Sequence, residues 1–208
     1  MLHTMSMRRP QPIAPSTLRD QHAEATRRTL VDEALKLFGV HGYNGTSLDD
    51  VAVAAKATKG AVYHHFKDKK QLFIAVYELM AKAVAERVAE RAGLNPKGRI
   101  DRAISAFLEQ TAEPDVLHIL LQDGPSVLGG TTCREIDLRY GLGMLTAMLE
   151  VSTSPKLLKS VGAELMAKIM FAAVVEGSLA IGSAKDPRAE QIRVDRFLRH
   201  LFDGLTGA

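Results

Sequence analysis

From Ala23 onward the apolar residues recur almost entirely at helical spacing. Leu30, Ala34, Leu37 and Phe38 fall at i, i+4, i+7 and i+8, which is one face of a helix. Gly42 supplies a C-terminal stop and Asn44-Gly45 a turn. Ser47 then offers an N-cap, with Asp50 three residues later in a near capping box, and Leu48, Val51, Ala52 and Ala55 give a short apolar face. Thr58 is the next N-cap, opening a short helix to about Phe66 that turns Val62 and Phe66 inward. Asp68 caps the following helix, with Gln71 at its third position. Leu72, Phe73, Val76, Tyr77, Met80 and Val84 form its stripe, which runs to about Arg91.

The stretch from Gly93 to Gly98 breaks this pattern. Beyond it the periodicity predicts helices at about 99–112, 114–122, 131–151, 156–183 and 188–204. They are separated by Pro114, Gly124-Pro125 with Gly129-Gly130, Ser154-Pro155 and Asp186-Pro187. No alternating β-branched segment exceeds four residues, so strands are not expected. The expected fold is all-α. A helical unit at 23–84, with a helix-turn-helix at about 47–66, is joined by one long helix to a larger bundle at 85–208. Residues 1–22 hold three of the eight prolines, show no period, and read as a flexible basic arm.

Composition changes this picture little. The 208 residues are 46% hydrophobic and 25% charged, an ordinary globular balance. One cysteine excludes a disulfide scaffold and suits a reducing cytoplasm. No run of 18 or more uncharged apolar residues occurs, so no membrane span is expected. Charge is more informative once it is divided. The net +3 hides a window, Lys56 to Lys70, in which Lys56, Lys59, Lys67, Lys69 and Lys70 face only Asp68. By charge alone this is either a polyanion contact or a solvated Lys-rich turn.

The residue types in that window favour the first reading. Two short helices meet at Ala55-Lys56-Ala57, a tight helix-turn-helix connection. On the second, Lys59 and Tyr63, like Gly60 and His64, stand at i, i+4 opposite Val62 and Phe66. Gly60 permits close backbone approach to a major groove, Lys59 can reach a guanine edge or phosphate, and Tyr63 and His64 can touch phosphates or bases. Lys69 falls in the first turn of the next helix, where the backbone N–H groups and dipole favour an anion.

Region 24–84 resembles the DNA-binding domain of the TetR (tetracycline-repressor, AcrR-like) family of bacterial transcription regulators. The matching words are Gly42-Tyr43-Asn44-Gly45-Thr46-Ser47, Val51-Ala52, Thr58-Lys59-Gly60-Ala61-Val62-Tyr63-His64-His65-Phe66 and Lys69-Lys70-Gln71-Leu72. The resemblance implies that Thr46, Ser47 and Lys69 contact phosphate and that Thr58, Lys59, Gly60, Tyr63 and His64 form the recognition surface. One departure is Lys56, which stands where the family usually has a turn glycine. Further on, Leu121 to Gly129, Arg134 to Asp137 and Tyr140 to Gly143 resemble one subgroup of the family's regulatory domains, although Gly130 to Cys133 replaces an aromatic stretch.

Other chemistries find no support. His64 and His65 are adjacent and point to different faces, with no second pair at metal spacing, so no metal is expected. Gly124-Pro-Ser126 lacks the spacing and preceding strand of a nucleophile elbow. Gly39, Gly42 and Gly45 lack dinucleotide-loop spacing. Cys133 reads as a small thiol. No acid–base pair of carboxylates stands out, so neither enzyme activity nor a cofactor is expected. Phe107, Leu117, Leu121, Met144, Met148, Met170 and Phe171 are either plain core or pocket lining. Glu176 interrupts an apolar helix, either facing a ligand or on a narrow exposed stripe.

The last two helices are the expected dimer surface. Gly162, Ala163, Ala167, Ala172, Ala173, Gly177 and Ala180 make the first small-faced, and Ile192, Phe197, Leu198, Leu201 and Phe202 supply apolar area from the second. The resemblance implies a four-helix interface. It implies a homodimeric cytoplasmic regulator, most simply a repressor, that leaves a near-palindromic DNA operator when a small molecule enters the C-terminal domain. Two alternatives stand beside it: a DNA-binding protein whose C-terminal domain only dimerises or binds a protein, and a helical enzyme with a basic domain.

Overall fold

The computed structural model describes residues 18–95 and 98–206, and every regular element among them is helical. The N-terminal unit comprises α1 (Leu18–His41), α2 (Leu48–Ala54) and α3 (Lys59–His65), and α4 (Lys69–Ala92) leads out of it. Then follow α5 (Arg99–Thr111), a short α6 (Pro114–Val116), a π-helical stretch (Leu117–Asp123), α7 (Gly124–Leu128) and α8 (Gly130–Asp137). A second π-helical stretch (Leu138–Leu142), α9 (Gly143–Ser152), α10 (Pro155–Val161), α11 (Ala163–Ser183) and α12 (Pro187–Thr206) complete the chain.

The local signals set most helix starts in the N-terminal unit. Ser47 Oγ accepts from the Asp50 N–H at 3.1 Å while Asp50 Oδ2 accepts from the Ser47 N–H at 2.8 Å, a complete capping box. Thr58 caps α3 through the Ala61 N–H, and Asp68 caps α4 through the Gln71 N–H at 2.8 Å. Each such cap contributes about 1 kcal/mol. The caps orient the helices, and a shared core then locks them. Leu30, Phe38, Val51, Val62, Leu72 and Phe73 are fully buried, with the Phe38 and Phe73 rings edge-to-face at 5.1 Å.

Helix α4 serves both halves of the molecule. Its first turns close the N-terminal core, and further along Val84, Val88 and Ala92 are buried beside α5, whose Ile100, Ile104 and Leu108 face inward. Helix α11 runs through the C-terminal bundle against α5, α9 and α12. A methyl group at Gly177 would come within 2.6 Å of Val194 on α12, so this glycine sets the closeness of the two helices. Thr111 Oγ1 donates to Ser178 Oγ at 2.8 Å, a buried polar link from α5 to α11.

The structure departs from the sequence pattern at four places. Residues 18–22, expected in the arm, are the first turns of α1, and the rest of the arm lies outside the described residues. The helix expected at 156–183 is broken at Gly162, whose φ of 82° ends α10 before α11 begins. The helices expected at 114–122 and 131–151 both contain a π-helical stretch. On the expected dimer surface, Leu198, Phe202 and Ala167 are buried within the protomer and Gly177 packs against Val194. The apolar side chains left outside are Leu165 and Ile169 of α11 and Ile192, Phe197 and Leu201 of α12, with Phe197 65% exposed. Helix α11 is also long and apolar enough to cross a membrane by length and composition alone. It is interrupted by Glu164, Lys168 and Glu176 and packs against α5, α9 and α12.

The α2–α3 turn carries local strain. Lys56 has φ 52°, the one positive-φ residue besides glycines among those described. It sits at the left-handed position of a Schellman motif, with Ala57 N–H donating to Ala52 O at 2.9 Å and Lys56 N–H to Val53 O at 3.1 Å. A left-handed non-glycine costs roughly 1–2 kcal/mol, partly offset here because glycine would lose more backbone entropy on folding. Lys56→Gly should therefore stabilise the protein by up to about 1 kcal/mol in denaturant melts, whereas Lys56→Ala should not. A destabilised Gly variant would refute the strain.

Candidate nucleic-acid interface and regulatory cavity

The outward face of α3 is small, polar and free of the core. Lys59, Gly60, Tyr63 and His64 are exposed, Tyr63 to 58%, while Val62 on the other face is buried. Gly60 has no reason within this fold to be glycine. It sits in ordinary helix, and a methyl group there would meet only Thr58 Oγ1 at 3.9 Å. Lys59 Nζ pairs with Asp49 Oδ2 of α2 at 2.6 Å, which raises the Lys59 pKa. Both side chains are exposed, so the pair is weak and a phosphate can displace the carboxylate. The His64 and His65 rings meet at 5.1 Å, and burial lowers the His65 pKa, with His64 and Arg27 adding to the effect. Among the described residues no group of three His, Cys, Asp or Glu could hold a metal.

Two residues expected at phosphates are turned inward instead. Thr46 is only 2% exposed, and its Oγ1 donates to Gly42 O at 3.0 Å. Lys69 Nζ donates to Tyr43 O at 2.9 Å and Thr46 O at 3.0 Å, and it lies 4.1 Å from the Tyr43 ring centroid. Its ammonium gathers the α1–α2 loop onto the start of α4. Ser47 remains exposed, although its hydroxyl is engaged with Asp50 at 2.6 Å. The same loop is held from the other side by Asp123, whose Oδ2 accepts the Tyr43 N–H at 2.6 Å. Gly42, with φ 70°, sits so close to His118 and Asp123 that a methyl group would come within 3.3 and 3.4 Å of them.

Asp123 ends the π-helical stretch that walls a cavity of about 390 Å³ in the C-terminal bundle. Its lining includes Phe107, Leu121, Met144, Met148, Met170, Phe171 and Glu176, each of which the sequence offered as one of two readings. Leu117 is not part of it; its side chain packs against Gly182 of α11. Glu176 is exposed, at the edge of this space. The sequence pattern missed the polar end of the wall: Tyr77, Cys133 and Asp137. Tyr77 Oη donates to Asp137 Oδ1 at 3.2 Å. Burial pushes the Tyr77 hydroxyl and the Cys133 thiol up, and it pushes Asp137 up to about 6 against the pull of Tyr77 and Arg134. A mostly apolar chamber of drug-molecule size with a few convergent polar groups is the usual form of a small-molecule site.

Comparison with known proteins gives the same division. Residues 30–76 match the profile of bacterial regulatory proteins of the tetR family, and residues 98–205 match the tetracyclin repressor-like C-terminal domain. The chain belongs to the TetR family. It is a DNA-binding transcription regulator. A TetR-family transcriptional regulator from Pectobacterium atrosepticum superposes with a TM-score of 0.73 and 27% identity, over 89% of this chain and 96% of that one. The Transposon Tn10 TetC protein of Escherichia coli is 26% identical over 151 residues, 72% of this chain and 77% of its own. The HTH-type transcriptional regulator AcrR of Shigella flexneri is 46% identical over 66 residues, which span 32% of this chain and 31% of AcrR.

In this TetR-family chain the unusual carboxylate is Asp137. Its folded-state pKa lies above the ordinary 3.8, so its ionisation costs stability at high pH, and the cost fades as pH falls through about 6 toward 3.8. Tyr77, Cys133 and Arg134 are the titratable neighbours that act on it or share its hydrogen bonds. Asp137→Asn should therefore raise stability at pH 8 by roughly 2–3 kcal/mol, a gain that shrinks below pH 6 and is nearly gone by about pH 3. Urea melts across that range would show it. A gain independent of pH would argue against a buried, destabilised carboxylate.

Proposed function

We propose that the protein is a homodimeric, cytoplasmic repressor that holds a near-palindromic operator until a small molecule enters the cavity. The observation that carries the DNA-reading part is the α3 face, where Gly60 is bare without internal cause and Lys59, Tyr63 and His64 stand exposed around it. Thr58 and Ser47, exposed at the starts of α3 and α2, bring two helix N-termini to the same side as candidate phosphate contacts. Thr46 and Lys69 act one step back, holding the loop that carries Ser47. A dimer would set two α3 helices in successive major grooves, about 34–36 Å apart. The exposed apolar side chains of α11 and α12 support such a dimer.

The cavity favours effector sensing over a C-terminal domain that only dimerises. Its π-helical wall leads to Asp123, and Asp123 holds the Tyr43 amide of the DNA-binding unit. Occupancy of the chamber thus bears on the loop that Lys69 gathers. For this to be a switch, the effector must bind the released state better than the DNA-bound one.

Two experiments test this reading. Tyr63→Ala and Lys59→Ala should each weaken operator binding on the order of 10- to 100-fold while the oligomer stays intact in sedimentation. Wild-type affinity in both would remove α3 as the reading helix. Asp123→Ala should speed hydrogen exchange at the Tyr43 amide on the order of 10-fold and change operator affinity, although Asp123 lies outside the reading face. Unaltered exchange at Tyr43 would mean that the loop is held without Asp123.

A further inference from the structure

We propose that the cavity takes an apolar molecule ending in a protonated amine, and that Asp137 is the group that receives the amine. The proposal rests on the reading of this chamber as the effector site and adds the ligand's chemistry. Most of the wall is hydrocarbon and aromatic, from Val84 of α4 and Ile104 and Phe107 of α5 to Met148 of α9 and Met170 and Phe171 of α11. The polar end is different in kind, and its hydrogen bonds leave an imbalance.

Asp137 is largely withdrawn from water, and its side-chain hydrogen bond among the described residues is the long one from Tyr77 Oη to Oδ1. Oδ2 receives no side-chain donor there. The Tyr77 hydroxyl is shared between Asp137 and the Cys133 thiol, so it offers a guest no free donor. Cys133 adds a weakly polar thiol. These three side chains therefore present acceptors and negative charge and no free strong donor.

The nearby cations do not correct that. Arg134 also lines the chamber, but it is exposed and makes no ion pair with Asp137, although its charge still acts on that carboxyl. Lys168, also on the lining, pairs with Glu164 at 2.5 Å in an exposed and therefore weak contact, and Arg139 pairs with Glu78. Glu176 adds a second carboxylate at the edge. A guest carboxylate at Oδ2 would be set against the Asp137 charge, and no cation among the described residues is in ion-pair contact with that carboxyl. A guest that only accepts hydrogen bonds would leave Oδ2 unsatisfied in a drier site. An ammonium supplies both opposite charge and donors, in charge-assisted bonds that strengthen as the apolar body excludes water.

The test uses the full-length protein and three probes of one shape: 4-phenylbutylamine, 4-phenylbutan-1-ol and 4-phenylbutyrate. Each is titrated calorimetrically at neutral pH into wild type, Asp137→Asn and Glu176→Gln. The amine should bind wild type about 10-fold or more tighter than the alcohol, with the carboxylate weakest. The amine's advantage should vanish in Asp137→Asn and persist in Glu176→Gln, while the alcohol binds all three alike. Equal binding of amine and alcohol, a preference for the carboxylate, or an advantage that survives Asp137→Asn would overturn the amine class and leave the effector cavity standing. Failure of all three to bind wild type would overturn the class and the effector reading together.

Discussion

One ammonium group gathers the loop between α1 and α2 from within. Lys69 Nζ draws the carbonyls of Tyr43 and Thr46 together beneath the Tyr43 ring, and the ring in turn packs on Phe73 at 5.1 Å. Remove that cation and two carbonyls pointing at one spot would repel each other. With it, the direction in which α2 leaves the loop is set, and so is the placement of α3 through their shared core. A charge that a linear reading assigns to DNA is thus spent inside the protein. On the proposed reading the basic window serves DNA binding, and part of its work is to shape the surface rather than to be it.

Tyr43 is also where the two halves of the molecule meet. Its carbonyl belongs to Lys69 of the DNA-binding unit and its amide to Asp123 of the regulatory bundle. A short charge-assisted bond to a backbone N–H is a strong and directional contact. Helix α4 provides a second, stiffer connection. It begins at Lys69, and its Tyr77 reaches Asp137 on the cavity wall. Cavity and reading head therefore share a helix and a loop, and a displacement at one polar end of the chamber has two routes outward.

The sequence and the structure agree best where the determinants are local. Ser47, Thr58 and Asp68 could be read as caps because a cap depends on residues three apart, and Gly60, Tyr63 and His64 could be placed on one face because a helix has a fixed period. Lys69, Thr46 and Leu117 could not be placed in this way. The fold brings Tyr43 to Lys69 and Gly182 to Leu117, and although Gly42 is only four residues from Thr46, no pattern along the chain shows that the Thr46 side chain turns back to it. Asp137 carried a faint signal, standing at i+4 from Cys133 on one helix face, but its importance appears only with Tyr77, 60 residues earlier. The same holds for Leu198 and Phe202. Their period marked an apolar stripe on α12, and only tertiary packing divided that stripe between core and exterior.

The π-helical stretch Leu117–Asp123 has a geometric consequence of its own. A π turn holds one residue more than an α turn. Annealing it to α would advance everything beyond by about one residue, roughly 1.5 Å along the axis and 100° around it. Asp123 stands at the end of that stretch, so such a slip would swing its carboxylate away from the Tyr43 amide altogether. The wall of the chamber is thereby toothed. A shift of that kind would come in whole-residue steps, like those of a ratchet pawl, and a regulator geared in that way would respond by counts and not by degrees.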